Sequence, residues 1–282
     1  MFRKEFVPLL VAAAAMLWTA AAPAAPLSAT QYGDFDRYVL ALSWQTGFCQ
    51  SQHDRRQREP DECRLQKESD NKDDFLTVHG LWPGLPKSIA ARGVDDRRWM
   101  RYGCATRPIP NMPEARVGQK CASAETGLSL ESAAKLNSVM PGAGANSCLE
   151  RYEYAKHGVC FGFDPDAYFG VMVRMTSEIK QSALGKFIAA NYGERVSRSD
   201  FDAAFARTYG SDSVKAMKLT CNGNPAYLTE VQITLKASAI NAPLSPTSFI
   251  AQPHPGNCGK EFVLDEVGYS REKAYPVDVI RG

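Results

Sequence analysis

Eight cysteines, Cys49, Cys63, Cys104, Cys121, Cys148, Cys160, Cys221 and Cys258, stand behind a start that reads as an export signal, and that combination constrains the chain more than any other feature. Oxidising compartments form and keep disulfides, so an even number of cysteines in an exported chain implies four of them. A zinc-type site is not expected, because there is no C-x-x-C pair and the four histidines are scattered. The export reading rests on a charged MFRKE followed by the apolar FVPLLVAAAAMLWTAAAP. Ala22 and Ala24 occupy the small-residue positions of a cleavage site, so residues 1–24 are expected to be a signal peptide and residues 25–282 the mature chain. The apolar run approaches the length of a membrane span, but its close in Pro23 and small alanines favours processing. No later stretch is apolar enough to cross a bilayer, and a soluble mature protein is expected.

No Gly/Ser or Pro linker divides the chain and no repeat recurs in it, which predicts one domain. The formal charge is +2, and removal of Arg3, Lys4 and Glu5 lowers it by one. That is too little for a nucleic-acid coat or a membrane-surface patch, so an anionic ligand must be held by a local cluster of positive charge.

Along the chain, FDRYVLALSW reads as a buried strand, and the charged segment between Cys49 and Cys63 as a solvated loop with His53 at its surface. FLTVHG is the next strand, with Phe75, Thr77 and His79 on one face and Leu76 and Val78 on the other. His79 therefore falls at a strand end, beside Gly80 and Pro83. From Pro86 to about Leu128 the chain reads as loop, either one wall of a substrate cleft or surface decoration. SLESAAKLNSVM is a helix with Leu130, Ala134 and Leu136 among its apolar positions, ended by Pro141. Ser147 and Glu150 have capping-box spacing and predict a new helix carrying LERYEYAKHG. Asp164 and Pro165 open another, whose Phe169, Met172, Met175 and Ile179 form a core stripe. After the shorter helix SDFDAAFARTYG come two strands. The second sets Tyr227, Thr229, Val231, Ile233 and Leu235 on one face and Glu230, Gln232 and Lys236 on the other. FVLDEVGY is a further strand. Helices segregated from a mostly antiparallel sheet make an α+β fold.

The chemistry gathers on one of these helices. Glu153, Lys156 and His157 are spaced i, i+3 and i+4 and share a face. Taken alone they are better described as a solvated helix face with a Glu/Lys pair. His79 shifts the reading, because a second imidazole at a strand end can meet the first across one cleft, with Cys160 as a tether for the helix end. RNA is the polymer for which two imidazoles suffice, since its own 2′-hydroxyl is the nucleophile. One imidazole takes that proton and the other gives one to the departing 5′-oxygen. Lys156 would neutralise charge growing on the phosphoryl oxygens.

FLTVHGLWPGLP and ERYEYAKHGVC resemble the two active-site segments of the ribonuclease T2 family, and YVLALSWQTGFC and the cysteine-bearing C-terminal half extend the similarity over most of the mature chain. The resemblance implies an α+β endoribonuclease without metal or cofactor. It implies little base preference, RNA as substrate, 2′,3′-cyclic phosphates and then 3′-phosphates as products, no obligate protein partner, a monomer, and, from the bacterial members, a periplasmic location. Position by position it carries the catalytic roles onto His79, Glu153, Lys156 and His157, with His157 as base and His79 as acid. The residues alone do not say which imidazole does which. Tyr152 stands where many relatives have a histidine, and as a phenol it can still donate to phosphate. Trp82 either stacks on a base or packs against Pro83 as a plug. His254 matches no catalytic position and reads as a loop residue. The resemblance also suggests Cys104–Cys160 and Cys221–Cys258, leaving Cys49–Cys63 and Cys121–Cys148. A catalytically silent RNA-binding protein on the same scaffold is the alternative, disfavoured because all four reacting side chains are present. A metal-dependent phosphodiesterase lacks a clustered ligand set.

Overall fold

The computed structural model describes residues 25–55, 59–64, 66–69, 71–144 and 147–268. The expected signal peptide, residues 1–24, lies outside them, as does the chain after residue 268. The strands are β1 (Arg37–Trp44), β2 (Leu76–Pro83), β3 (Arg195–Ser197), β4 (Met217–Asn222), β5 (Tyr227–Lys236) and β6 (Glu261–Val263). β1 pairs antiparallel with β2 on one side and β5 on the other, and β4 pairs antiparallel with the far edge of β5. β6 meets β5 in parallel at Val263 and Tyr227 and pairs antiparallel with β3. FVLDEVGY thus supplies only two strand residues, Phe262 and Val263, with Glu261 before them completing β6.

The helices are α1 (Gln45–Asp54), α2 (Asp61–Arg64), α3 (Lys87–Ala90), α4 (Asp96–Tyr102), α5 (Leu130–Asn137), α6 (Leu149–His157), α7 (Pro165–Gln181), α8 (Ala183–Ala190) and α9 (Arg198–Tyr209). The architecture is the expected α+β, and four disulfides, Cys49–Cys63, Cys104–Cys160, Cys121–Cys148 and Cys221–Cys258, staple it. α7 starts where its sequence predicts, with Asp164 accepting from the Ala167 N–H and Pro165 in the first turn. Its Phe169, Met172, Met175 and Ile179 are fully buried against the sheet, together with Leu40, Leu42 and Trp44 of β1.

Three local expectations fail for physical reasons. The segment between Cys49 and Cys63 begins as helix rather than loop, because α1 runs on to Asp54; the helix buries Gln45, Thr46, Gln50 and Ser51, and a buried face of such residues looks solvated. Ser147 and Glu150 do not make a capping box: Cys148, left-handed with φ 53°, occupies the cap. Ser147 Oγ instead donates to the Gly142 carbonyl and Glu150 accepts from the Gly144 N–H, so both stabilise the preceding turn. Leu130 is exposed at the start of α5, where Leu136 carries the burial.

Candidate active site

The site begins with an irregularity in β2. Ala41 of β1 faces Gly80, but Leu42 faces Val78, so His79 is an extra residue in the ladder. Such a bulge re-aims a side chain. In an unbroken strand His79 and Trp82, three apart, would point to opposite faces. Across the bulge their rings meet edge to face with centroids 5.4 Å apart. Tyr168 from α7 donates to the Leu81 carbonyl at 2.7 Å and pins the strand just beyond.

Facing β2 is α6, which presents Tyr152, Glu153, Lys156 and His157 to the same cavity. Its two ends are fixed by disulfides, at Cys148 before the first turn and at Cys160 just after the last. Gly103, at φ 52°, lets the segment carrying Cys104 approach so closely that a Cβ there would overlap the Lys156 carbonyl.

Glu153 is the centre of the contact. It is 1% exposed, accepts from the Trp82 indole N–H at 2.8 Å, and lies 3.5 Å from His79 Nε2. Trp82 is 8% exposed and stands between the two histidines, its ring centroid 5.6 Å from that of His157. The indole therefore aligns Glu153 and spaces the imidazoles, and little of it is left open to stack on a base. A Cβ on Gly80 would overlap Glu153 Oε2. Gly80→Ala is accordingly expected to displace the carboxylate and lower kcat/KM about a hundredfold with the chain still folded, as steady-state kinetics beside a thermal melt would show. Tyr152 accepts from Lys156 Nζ at 3.4 Å, so its phenol steadies the lysine.

Burial alone pulls the His79 imidazole down, but the hydrogen bond to Glu230 and the charges of Glu153 and Glu230 outweigh it and raise its pKa above the ordinary value. His157 goes the other way: burial first, then the positive charges of Lys156 and His79, hold it well below. Burial raises the Glu153 carboxyl, with His79, the Trp82 N–H and Lys156 opposing. Burial lowers the Lys156 ammonium, with Glu153 opposing. Tyr152 is pushed up to about 12 by burial and by Glu153, so its phenol keeps its proton at neutral pH.

All six residues singled out in the sequence, His79, Trp82, Tyr152, Glu153, Lys156 and His157, line one cavity of about 430 Å³. Met100, Val117 and Lys120 complete one side of it, so the segment after Pro86 does form a wall. His53 and His254 lie outside, the first on α1 beside Glu59, the second exposed. Among the described residues no group of three or more His, Cys, Asp or Glu side chains is placed to hold a metal ion. The sequence reading missed Glu230, whose Oε2 lies 2.8 Å from His79 Nδ1. Its one signal was a carboxylate on the polar face of a strand whose other face is mostly apolar.

The family model described as Ribonuclease T2 family matches residues 35–243. Over 257 residues the chain is 74% identical to ribonuclease I of Escherichia coli strain K12, a match covering 91% of this chain and 96% of that protein. Among solved structures, the self-incompatibility-associated SF11-RNase of Nicotiana alata is similar in fold, with a TM-score of 0.54 at 16% identity over 83% of this chain and 100% of that one. With most of its length matched by the family model and a relative so nearly identical, the chain belongs to the ribonuclease T2 family.

Proposed function

We propose that this chain is a metal-independent endoribonuclease of little base preference, using His157 as base and His79 as acid. The observation that carries the reading is the opposite bias of two imidazoles that flank one indole in one cavity. Environments that push a pair of titratable groups apart assign the acid and the base. His157, held neutral, accepts the 2′-hydroxyl proton as that oxygen attacks phosphorus. His79, held protonated, gives its proton to the 5′-oxygen as the P–O5′ bond breaks, leaving a 2′,3′-cyclic phosphate. In the second step the roles reverse: His79 takes a proton from water and His157 returns one to the 2′-oxygen, giving a 3′-phosphate. Lys156 sits where negative charge grows on the phosphoryl oxygens, and Glu153 balances the cations around it. Trp82 positions Glu153, and Tyr152 positions Lys156 and offers its O–H to phosphate.

Relatedness to E. coli ribonuclease I and to the T2 family supports RNA as the substrate. Four disulfides fit an oxidising compartment, and with the signal-like residues 1–24 they support export to the periplasm, where the chain acts as a monomer.

The test is incubation of purified protein with RNA in excess chelator. Cyclic-phosphate ends are expected early and 3′-phosphate ends later; full loss of cleavage in chelator would remove the proposal. The pH dependence supplies a second check. Activity needs His157 without and His79 with its proton. The acid limb of kcat/KM on a dinucleotide is therefore expected below the ordinary imidazole pKa and the alkaline limb above it, with the maximum between the two.

A further inference from the structure

We propose that Glu230 is a positioning residue for the acid of this reaction: its carboxylate holds His79 Nδ1, so that Nε2 carries the mobile proton into the cavity, and Gln232 holds the carboxylate in turn. The proposal rests on the reading of His79 as acid given above.

The bulge that aims His79 at the cavity also removes it from the β1 ladder, so the pairing of β2 does not by itself fix the ring. A half-turn of an imidazole about its Cβ–Cγ bond puts Cδ2 where Nδ1 was and Cε1 where Nε2 was, and only one orientation places Nε2 near Glu153, at 3.5 Å. The 2.8 Å contact between Nδ1 and Glu230 Oε2 selects that orientation. A carboxylate can only accept from a protonated Nδ1, so this contact fixes the hydrogen on that nitrogen as well.

Glu230 is suited to the task because it is itself immobile. Its strand is paired on both edges, with Ser43 of β1 and Thr220 of β4 opposite. Two residues on, Gln232 projects to the same face and donates from Nε2 to Glu230 Oε1 at 2.6 Å. One oxygen is thus engaged by the imidazole and the other by an amide, which suits a role behind the ring rather than on the substrate. A carboxylate as buried as this one, its side chain 19% exposed, is costly without a cationic partner, and so it favours the charged imidazole. The other charged or titratable groups facing His79 are Glu153, Lys156 and His157 from α6 and Lys120 from the segment before Cys121; Lys218 of β4 faces Glu230. When the proton passes from Nε2 to the departing 5′-oxygen, His79 becomes neutral and its Nδ1–H still points at Glu230, so the ring keeps its place for the second step.

The experiment uses the mature chain with Glu230→Gln, nearly the same shape without the charge. The alkaline limb of kcat/KM on a dinucleotide is expected to move down by about one pH unit, and kcat to fall about tenfold or more with KM little changed. On uridine 3′-(4-nitrophenyl phosphate), whose leaving group needs no proton, the loss should nearly vanish. A ¹⁵N NMR titration of the folded protein should show the His79 pKa falling with the limb, and Glu230→Asp, which keeps the charge, should restore part of the shift. If the limb and the His79 titration stay where the parent has them, or the loss is equal on both substrates, Glu230 is a packing residue and the proposal is wrong. His79→Ala separates the two layers: a loss as large on the nitrophenyl ester as on the dinucleotide overturns the assignment of His79 as acid, independently of Glu230.

Discussion

Alanine in place of His157 is expected to lower kcat for RNA cleavage by about a thousandfold or more while the chain remains folded. The chemical half follows from the role of base: without that imidazole the 2′-hydroxyl proton loses its acceptor, since Glu153 already accepts from the Trp82 indole N–H and faces His79, and Lys156 is a donor to Tyr152. The structural half follows from an atom with nothing to lose. His157 is 4% exposed, yet its Nδ1 is buried without a hydrogen-bond partner, so truncation breaks no bond there and removes an unsatisfied polar group. The vacated volume costs stability in the opposite direction. A melting temperature within a few degrees of the parent is the expected balance. The two proteins should also respond differently to acid. A folded-state pKa held below the unfolded value means that the unfolded chain binds more protons, so His157 withdraws stability as pH falls below about 6.5. The variant should therefore gain on the parent in that range. Thermal melts across pH, beside single-turnover cleavage, measure both halves, and a variant that cleaves as fast as the parent would end the proposed mechanism.

What could be read from the residues alone was the part governed by regular periods. The i, i+3, i+4 spacing on α6 brought Glu153, Lys156 and His157 together, and the stripe on α7 marked the core against which the sheet rests. What could not be read depends on departures from those periods or on partners distant in the chain. No pattern announces that His79 is the extra residue of a bulge, yet this is what turns it to the same side as Trp82. Neither reading of Trp82, a stack on a base or a plug against Pro83, gives its N–H a partner, and that partner, Glu153, lies 71 residues away. Glu230 was visible as a polar-face residue of β5, but its meeting with His79 spans 151 residues and needs the sheet order β2, β1, β5. α1 was missed because glutamines, a threonine and a serine make its buried face, so hydrophobic periodicity had nothing to report. The capping box at Ser147 failed because Cys148, tied to Cys121, takes a left-handed conformation there and the turn claims both side chains.

Removing the Cys104–Cys160 disulfide, as Cys104→Ala with Cys160→Ala, is expected to cost about 4 kcal/mol of stability and roughly 10 °C of melting temperature. The bridge spans 56 residues, and in the chain-entropy account a longer loop frees more of the unfolded ensemble when it is opened. It also ties the end of α6 to the segment after α4, whose Met100 lines the cavity. Cys104 lies beside Gly103, whose backbone packs against the Lys156 carbonyl, while Cys160 follows the last turn of α6, and the Cys160 N–H donates to Cys104 Sγ at 3.2 Å. Both cysteines are fully buried, so the alanines add a small cavity to the lost constraint. The pair Cys49–Cys63 is the internal control, because it closes only 14 residues and holds α1 to α2, neither of which carries a catalytic side chain. Its removal is expected to cost about 3 kcal/mol. Activity should separate the two more sharply than stability does. Well below either melting temperature, loss of Cys104–Cys160 should depress kcat by loosening Lys156 and His157, whereas loss of Cys49–Cys63 should leave kcat near that of the parent. Denaturant unfolding gives the stabilities and steady-state cleavage of a dinucleotide gives kcat. If opening the longer bridge left both unchanged, α6 would be held in register by its packing on β2 alone, and the disulfide would have no part in keeping Lys156 and His157 in place.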